Sequence, residues 1–130
     1  MTTGRYKIES KQNVVYVVLD GVFSLDNVKS YEKHLHKHIA ANQQGSWFLI
    51  ADVNLLQPSA MEAVKYTENI TNWILKSGCE GIINIHDLNA SIIDFQLAIA
   101  AGDNKVYNTK TQQQAQQLLT ELVQLLDKAG

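Results

Sequence analysis

Apolar and polar positions at the start of the chain alternate with the two-residue period of β-strands. The runs at 6–9 and 14–20 are rich in β-branched and aromatic residues, and the polar tetrad 10–13 separates them. Two short strands with a four-residue polar turn between them are typical of an antiparallel hairpin. We therefore expect the chain to begin with a β-hairpin.

After the hairpin, the apolar residues change to a spacing of three and four, which places them on one side of a helix. Segments 25–42, 59–77, 91–101 and 109–128 each show this spacing. Gly78 follows the second segment, where a glycine commonly ends a helix. The pattern therefore predicts four helices.

Three further apolar runs, at 47–52, 81–86 and 105–107, separate these helices and are predicted to be strands. The run at 47–52 is apolar on both alternating faces, which favours a central strand that is covered on both sides. Strands that alternate with helices form a mostly parallel sheet with right-handed crossovers. The predicted fold is a single α/β domain over 1–130 with a mixed, mostly parallel sheet, an N-terminal β-hairpin and the order ββαβαβαβα.

Composition narrows the class of protein. The 130 residues are 45% apolar and 18% charged, which suits one conventional core. A net charge of −2 gives no electrostatic footprint for nucleic acid. The longest apolar runs, such as 14–19, are too short to span a bilayer, and the N-terminus lacks a secretory apolar region. Cys79 is the single cysteine, so the sequence predicts neither an internal disulfide nor a zinc site. Because a free cysteine suits a reducing compartment, we expect a cytoplasmic protein.

Polar side chains follow two of the predicted parallel strands. Asp52 and Asn54 come at the end of one strand, and His86 and Asp87 at the end of the next. Ligands of open α/β sheets bind in the crevice outside the carboxyl ends of the strands, so these four residues form a candidate binding crevice. A serine–histidine–carboxylate hydrolase would need Ser59 as nucleophile, but the sequence has no Gly-x-Ser-x-Gly motif and no phosphate-binding glycine loop. We expect no enzyme activity, no cofactor and no catalytic residues.

Ser59 opens the second predicted helix and lies three residues before Glu62. This is the spacing of a capping box, in which the serine oxygen accepts from the third helical N–H and the glutamate reaches back. The free N–H groups and the positive end of the helix dipole would also favour a phosphate on the same serine. The structural cap is the preferred interpretation, and phosphorylation of Ser59 remains a candidate.

His34, His36 and His38 lie close together in the first predicted helix. At about 100° per residue, His34 and His38 share one flank of the helix, whereas His36 lies nearly opposite beside a row of lysines. A histidine pair four residues apart can bind a metal ion, but no third ligand accompanies it. We therefore predict a solvated flank and no metal site.

Two predicted helices carry apolar residues beyond one core stripe. The helix at 91–101 is apolar on two faces, and the helix at 59–77 carries two aromatic residues one heptad apart. These residues either form a protein interface or are covered by a neighbouring segment, and the sequence leaves both alternatives open. The interface candidates are Tyr66, Trp73, Ile92, Ile93, Phe95 and Leu97.

Three local patterns resemble STAS domains, the SpoIIAA-like family of bacterial anti-sigma-factor antagonists and anion-transporter tails. Residues 17–21, VVLDG, followed by 25–27, LDN, look like the second strand and the entry to the first helix of the family. Residues 48–54, FLIADVN, look like its central strand with the aspartate that ends it, and 106–109, VYNT, look like its last strand. The resemblance covers nearly the whole chain.

The resemblance implies a non-enzymatic regulatory module that binds a partner protein or a second copy of itself. STAS domains are often switched by phosphorylation of a serine or threonine after the central strand. This sequence has only Ser59 where the family has paired hydroxyl residues, so a relative without the switch is the alternative. Because SpoIIAA-like folds also resemble domains that hold apolar ligands, a carrier of a small apolar ligand or lipid is the rival function.

Overall fold

The computed structural model describes residues 3–42, 45–87 and 105–129. These residues form five strands and three helices. The strands are β1 (Arg5–Lys11), β2 (Val14–Gly21), β3 (Trp47–Leu56), β4 (Cys79–Ile85) and β5 (Val106–Thr109), and the helices are α1 (Leu25–Asn42), α2 (Met61–Lys76) and α3 (Gln112–Ala129). The helix predicted at 91–101 lies outside the described residues.

The five strands form one sheet in the order β1-β2-β3-β4-β5. β1 pairs antiparallel with β2, and the other three pairings are parallel, which confirms the hairpin and the mixed, mostly parallel α/β sheet. The turn of the hairpin is shorter than predicted. β1 continues through Lys11, and only Gln12 and Asn13 form the turn, with Gln12 in the left-handed region at φ 57°.

Each face of the sheet has its own apolar core. On one face, Val15, Leu49 and Ile82 pack with the buried residues of α1 and α2. On the other face, Ile50 and Ile83 pack with α3. Consecutive residues of β3 thus enter opposite cores, because side chains alternate between the faces of a strand. The structure confirms that β3 is a central strand covered on both sides.

β3 is longer than the apolar run that predicts it. The prediction ends the strand at Asp52, but parallel pairing with β2 continues to Leu56, which lies opposite Gly21. The register of this pairing shifts between Val18 and Asp20 of β2, which lets β3 continue past the polar residues Asp52 and Asn54. The strand therefore carries these polar side chains on ordered backbone.

α1 packs on β1 through histidine side chains. His34 Nδ1 is hydrogen-bonded to the Tyr6 hydroxyl, and His38 Nε2 lies 2.6 Å from the Ser10 hydroxyl. His34 is exposed, as expected for a solvated flank, and the hairpin also brings the hydroxyls of Tyr6 and Ser10 against this flank. His36 lies on the other side of α1.

None of the helices in the described ranges is long and apolar enough to cross a membrane.

Replacement of Leu35 by alanine tests the contribution of the α1 core. Leu35 has no solvent exposure, and truncation of such a side chain costs about 3 kcal/mol of unfolding free energy. Leu125 is 60% exposed on α3, so Leu125→Ala should cost less than about 0.5 kcal/mol. Urea unfolding followed by circular dichroism measures both values. Equal losses in the two variants would contradict the packing described.

Candidate functional site

Four strands end at one edge of the sheet, which we call the carboxyl edge. Parallel pairing places the ends of β2, β3, β4 and β5 at this edge. α1, α2 and α3 follow β2, β3 and β5 along the chain, so each begins close to it. The positive ends of three helix dipoles are therefore close to this edge.

Asp52, Asn54 and Asp87 are linked by hydrogen bonds at the carboxyl edge. Asp52 Oδ1 accepts from the backbone N–H and from the side-chain amide of Asn54, each at 3.0 Å. The Asn54 side-chain oxygen accepts from the backbone N–H of Asp87 at 2.7 Å. The structure therefore brings together three of the four crevice residues that the sequence singles out.

His86, the fourth residue, takes part in the pairing of β4 with β5. Its backbone N–H donates to the Thr109 carbonyl at 3.0 Å, and the Thr109 hydroxyl donates to the Asn84 carbonyl at 2.9 Å. Asn84 is 8% exposed, and its amide donates to the Asn108 side-chain oxygen at 3.3 Å. Sequence reasoning missed Asn84, although a polar residue inside the apolar run at 81–86 was a signal.

Ser59 connects two loops at the carboxyl edge. Its hydroxyl oxygen accepts from the Phe23 backbone N–H at 2.9 Å and donates to the Gln57 carbonyl at 3.0 Å. Phe23 lies in the loop between β2 and α1, whereas Gln57 and Ser59 lie in the loop between β3 and α2. The hydroxyl proton is directed at the Gln57 carbonyl.

The predicted capping box at Ser59 is wrong. α2 begins at Met61, and its N-cap residue is Ala60, which makes no side-chain cap hydrogen bond. The Ser59 oxygen is engaged by Phe23, 36 positions away, and a helix that starts two residues later leaves Ser59 outside its first turn. Because alanine has no polar side chain, the first N–H groups of α2 lack the usual partner at the carboxyl edge.

Asp52 and Ser59 lie on different sides of β3. Ala51 and Val53 pack in the core beneath α1 and α2, so alternation directs Asp52 to the opposite face. Ser59 lines a cavity on the α1 and α2 side, together with Phe23. A single crevice that contains both Asp52 and Ser59 is therefore not what the structure shows.

Exposed apolar side chains flank Ser59. Leu55, near the end of β3, is 58% exposed, and Met61, at the first position of α2, is 46% exposed. Both lie within four residues of Ser59, and the residues between them include the exposed Gln57 and Pro58. The sequence did not predict the exposure of Leu55 and Met61. Its only signal was the apolar pair of Leu55 and Leu56, which follows the polar Asn54.

Tyr66 and Trp73 lie against α1. The Tyr66 hydroxyl donates to Glu32 at 2.7 Å, and this bond raises the pKa of Tyr66. The Trp73 ring stacks on His36 with 3.6 Å between the ring centroids. Both aromatic residues are half-buried, so α1 covers part of each ring. The other interface candidates, Ile92, Ile93, Phe95 and Leu97, lie outside the described residues.

Cys79 is not a reactive nucleophile. Its side chain is buried, and its Sγ donates to the Gly81 carbonyl at 3.2 Å. Burial raises the pKa of the Cys79 thiol to about 11, so the thiol is protonated near neutral pH.

No protein-family model matches the sequence, and no curated protein matches it. Solved structures do match the fold. A serine-to-glutamate variant of RsbS from Moorella thermoacetica superposes with a TM-score of 0.69 at 12% identity, over 92% of this chain and 98% of that chain. The protein TM1081 superposes with a TM-score of 0.63 at 13% identity, over 85% of this chain and 84% of that chain. With its hairpin, parallel strands and helices on both faces, this chain has the STAS, or SpoIIAA-like, fold.

Proposed function

We propose that this chain is a non-enzymatic regulatory module that binds a protein partner through the carboxyl edge of its sheet. The observation that carries the proposal is the exposure of Leu55 and Met61 on either side of Ser59. Large apolar side chains ringed by polar groups are the usual centre of a protein interface. Asp87 and Gln57 supply exposed polar groups of this kind nearby. The partner is another protein or a second copy of the chain.

The polar groups of the edge suit binding better than catalysis. The Asp52 carboxylate accepts two hydrogen bonds from Asn54, and Asn54 holds the backbone of Asp87. Such bonds fix the shape of the surface, and a preformed surface loses less conformational entropy when it binds. The edge is therefore suited to recognition of a partner of complementary shape.

Phosphorylation of Ser59 is the proposed form of regulation. A phosphate on the hydroxyl oxygen would remove the proton that bonds to Gln57 and would add negative charge two residues before α2. The uncapped N–H groups and the dipole of α2 would favour that charge. The RsbS neighbour carries glutamate in place of a serine, a change that also introduces negative charge in that protein. We place this module in a reducing cytosol, where its single, buried Cys79 would stay free.

Leu55→Asp tests the binding edge. An aspartate at this exposed position should fold normally but should leave an unpaired charge in the interface, so retention of the partner should fall about tenfold or more. Leu125→Asp, at an equally exposed position on α3, is the matched control. Quantitative mass spectrometry of proteins retained from the native lysate detects a different protein, and light scattering detects a second copy. The proposal fails if no retained protein and no self-association depends on Leu55.

Ser59→Glu and Ser59→Gln together test the phosphorylation switch. Both variants lose the serine hydroxyl and have side chains of similar size, but only glutamate adds a charge. We expect Ser59→Glu to change partner retention by about tenfold relative to Ser59→Gln, since the added charge alone distinguishes them. The same retention assay measures both. Equal behaviour of the two variants would show that charge at this position is not the signal.

A further inference from the structure

A cavity of about 120 Å³ lies between the sheet and the inner sides of α1 and α2. Its wall is mostly aliphatic and aromatic. The apolar wall includes Phe23, Leu49, Ala51, Ala63 and Ile82. The cavity belongs to the face of the sheet opposite Asp52, so it is separate from the hydrogen-bonded group of Asp52, Asn54 and Asp87.

The size of the cavity limits its occupant to one small molecule. An engineered apolar cavity of about 150 Å³ in another protein holds benzene. A space of about 120 Å³ therefore suits a single ring or a short alkyl chain and is too small for a long-chain lipid.

The residues of the wall also affect whether a charged or a neutral ligand is preferred. Among the described residues, no lysine, arginine, histidine, aspartate or glutamate lines the cavity. An ionised ligand would find no counter-charge on these described walls. They therefore favour a neutral ligand.

Four small polar side chains interrupt the wall, and Tyr31 adds a hydroxyl group. Thr67 and Thr71 lie one helical turn apart on α2, Asn84 projects from β4, and Ser59 lies before α2. The Thr67 hydroxyl donates to the Val64 carbonyl, so its oxygen can still accept a hydrogen bond. Polar groups set in an apolar pocket fix the orientation of a ligand that carries a matching polar group.

We propose that this cavity binds one small neutral amphiphile, a molecule with a single ring or a short alkyl chain and one hydroxyl, carbonyl or amide group. The apolar body contacts the sheet residues Leu49, Ala51 and Ile82, and the polar group bonds to Thr71 or its neighbours on α2. The cavity shares Ser59 with the carboxyl edge, but the test of ligand binding requires no protein partner.

Phenol, benzene and benzoate are suitable probes for the full chain. In two-dimensional NMR titrations, phenol and benzene should shift the amide signals of Ala51, Ala63 and Ile82 saturably. Benzoate, which is ionised at neutral pH, should bind about tenfold more weakly or worse, because its charge would be buried. Absence of a saturable shift with phenol and benzene, or equal affinity for benzoate, would overturn the proposal.

Variants of the wall locate the site. Ala63→Leu fills the cavity from α2 and should abolish the shifts, whereas Ala40→Leu makes the same change on the exposed side of α1 and should preserve them. Ala51→Val is a smaller filling change for use if Ala63→Leu does not fold. Thr71→Val should weaken phenol about fivefold and leave benzene unchanged, since it removes one hydroxyl. Unchanged binding in the filled variants would show that the probes bind elsewhere and would overturn the proposal.

Discussion

Burial of β3 on both faces is the constraint from which the other features of the domain follow. Its backbone groups are paired with β2 on one side and with β4 on the other, and its side chains enter both apolar cores. A strand of this kind cannot face water on either side, so helices must cover both faces of the sheet. α1 and α2 cover one face and α3 covers the other. The carboxyl edge exists because the strands on both sides of β3 run parallel to it.

Hydrogen bonds between distant parts of the chain hold the loops at this edge. Ser59 joins its own loop to the loop that contains Phe23, and Asn54 joins the end of β3 to the residue that follows β4. Each bond pairs a side-chain oxygen with a backbone N–H that would otherwise lack a partner at the end of a strand. The edge thus gains order without regular secondary structure, and a change at Ser59 would affect two loops.

The spacing of apolar residues predicts which segments form helices and strands better than it predicts the residues at which they begin and end. The hairpin, β3 and α2 could be predicted because their apolar spacing reflects burial by the sheet itself. The prediction of a capping box at Ser59 was wrong because the Ser59 oxygen accepts from the Phe23 backbone N–H, which belongs to another loop. The spacing of neighbouring residues in the sequence cannot reveal such a distant partner. The contacts of His34 and His38 with β1 could not be predicted for the same reason, since Tyr6 and Ser10 each lie 28 positions away. The exposure of Leu55 could not be predicted either, because it depends on where β3 ends. The polar residues Asp52 and Asn54 indicated an earlier end of the strand.

The outer edge of β1 restricts how copies of this domain can associate. β1 is the first strand of the sheet, and one of its sides has no neighbouring strand in the described sheet. Its exposed positions alternate with half-buried ones and carry the charged residues Arg5, Lys7, Glu9 and Lys11. Charged side chains on an edge strand oppose pairing with a strand from another molecule. Growth of the sheet from one molecule to the next is therefore disfavoured at β1, which protects the domain against aggregation by strand addition there.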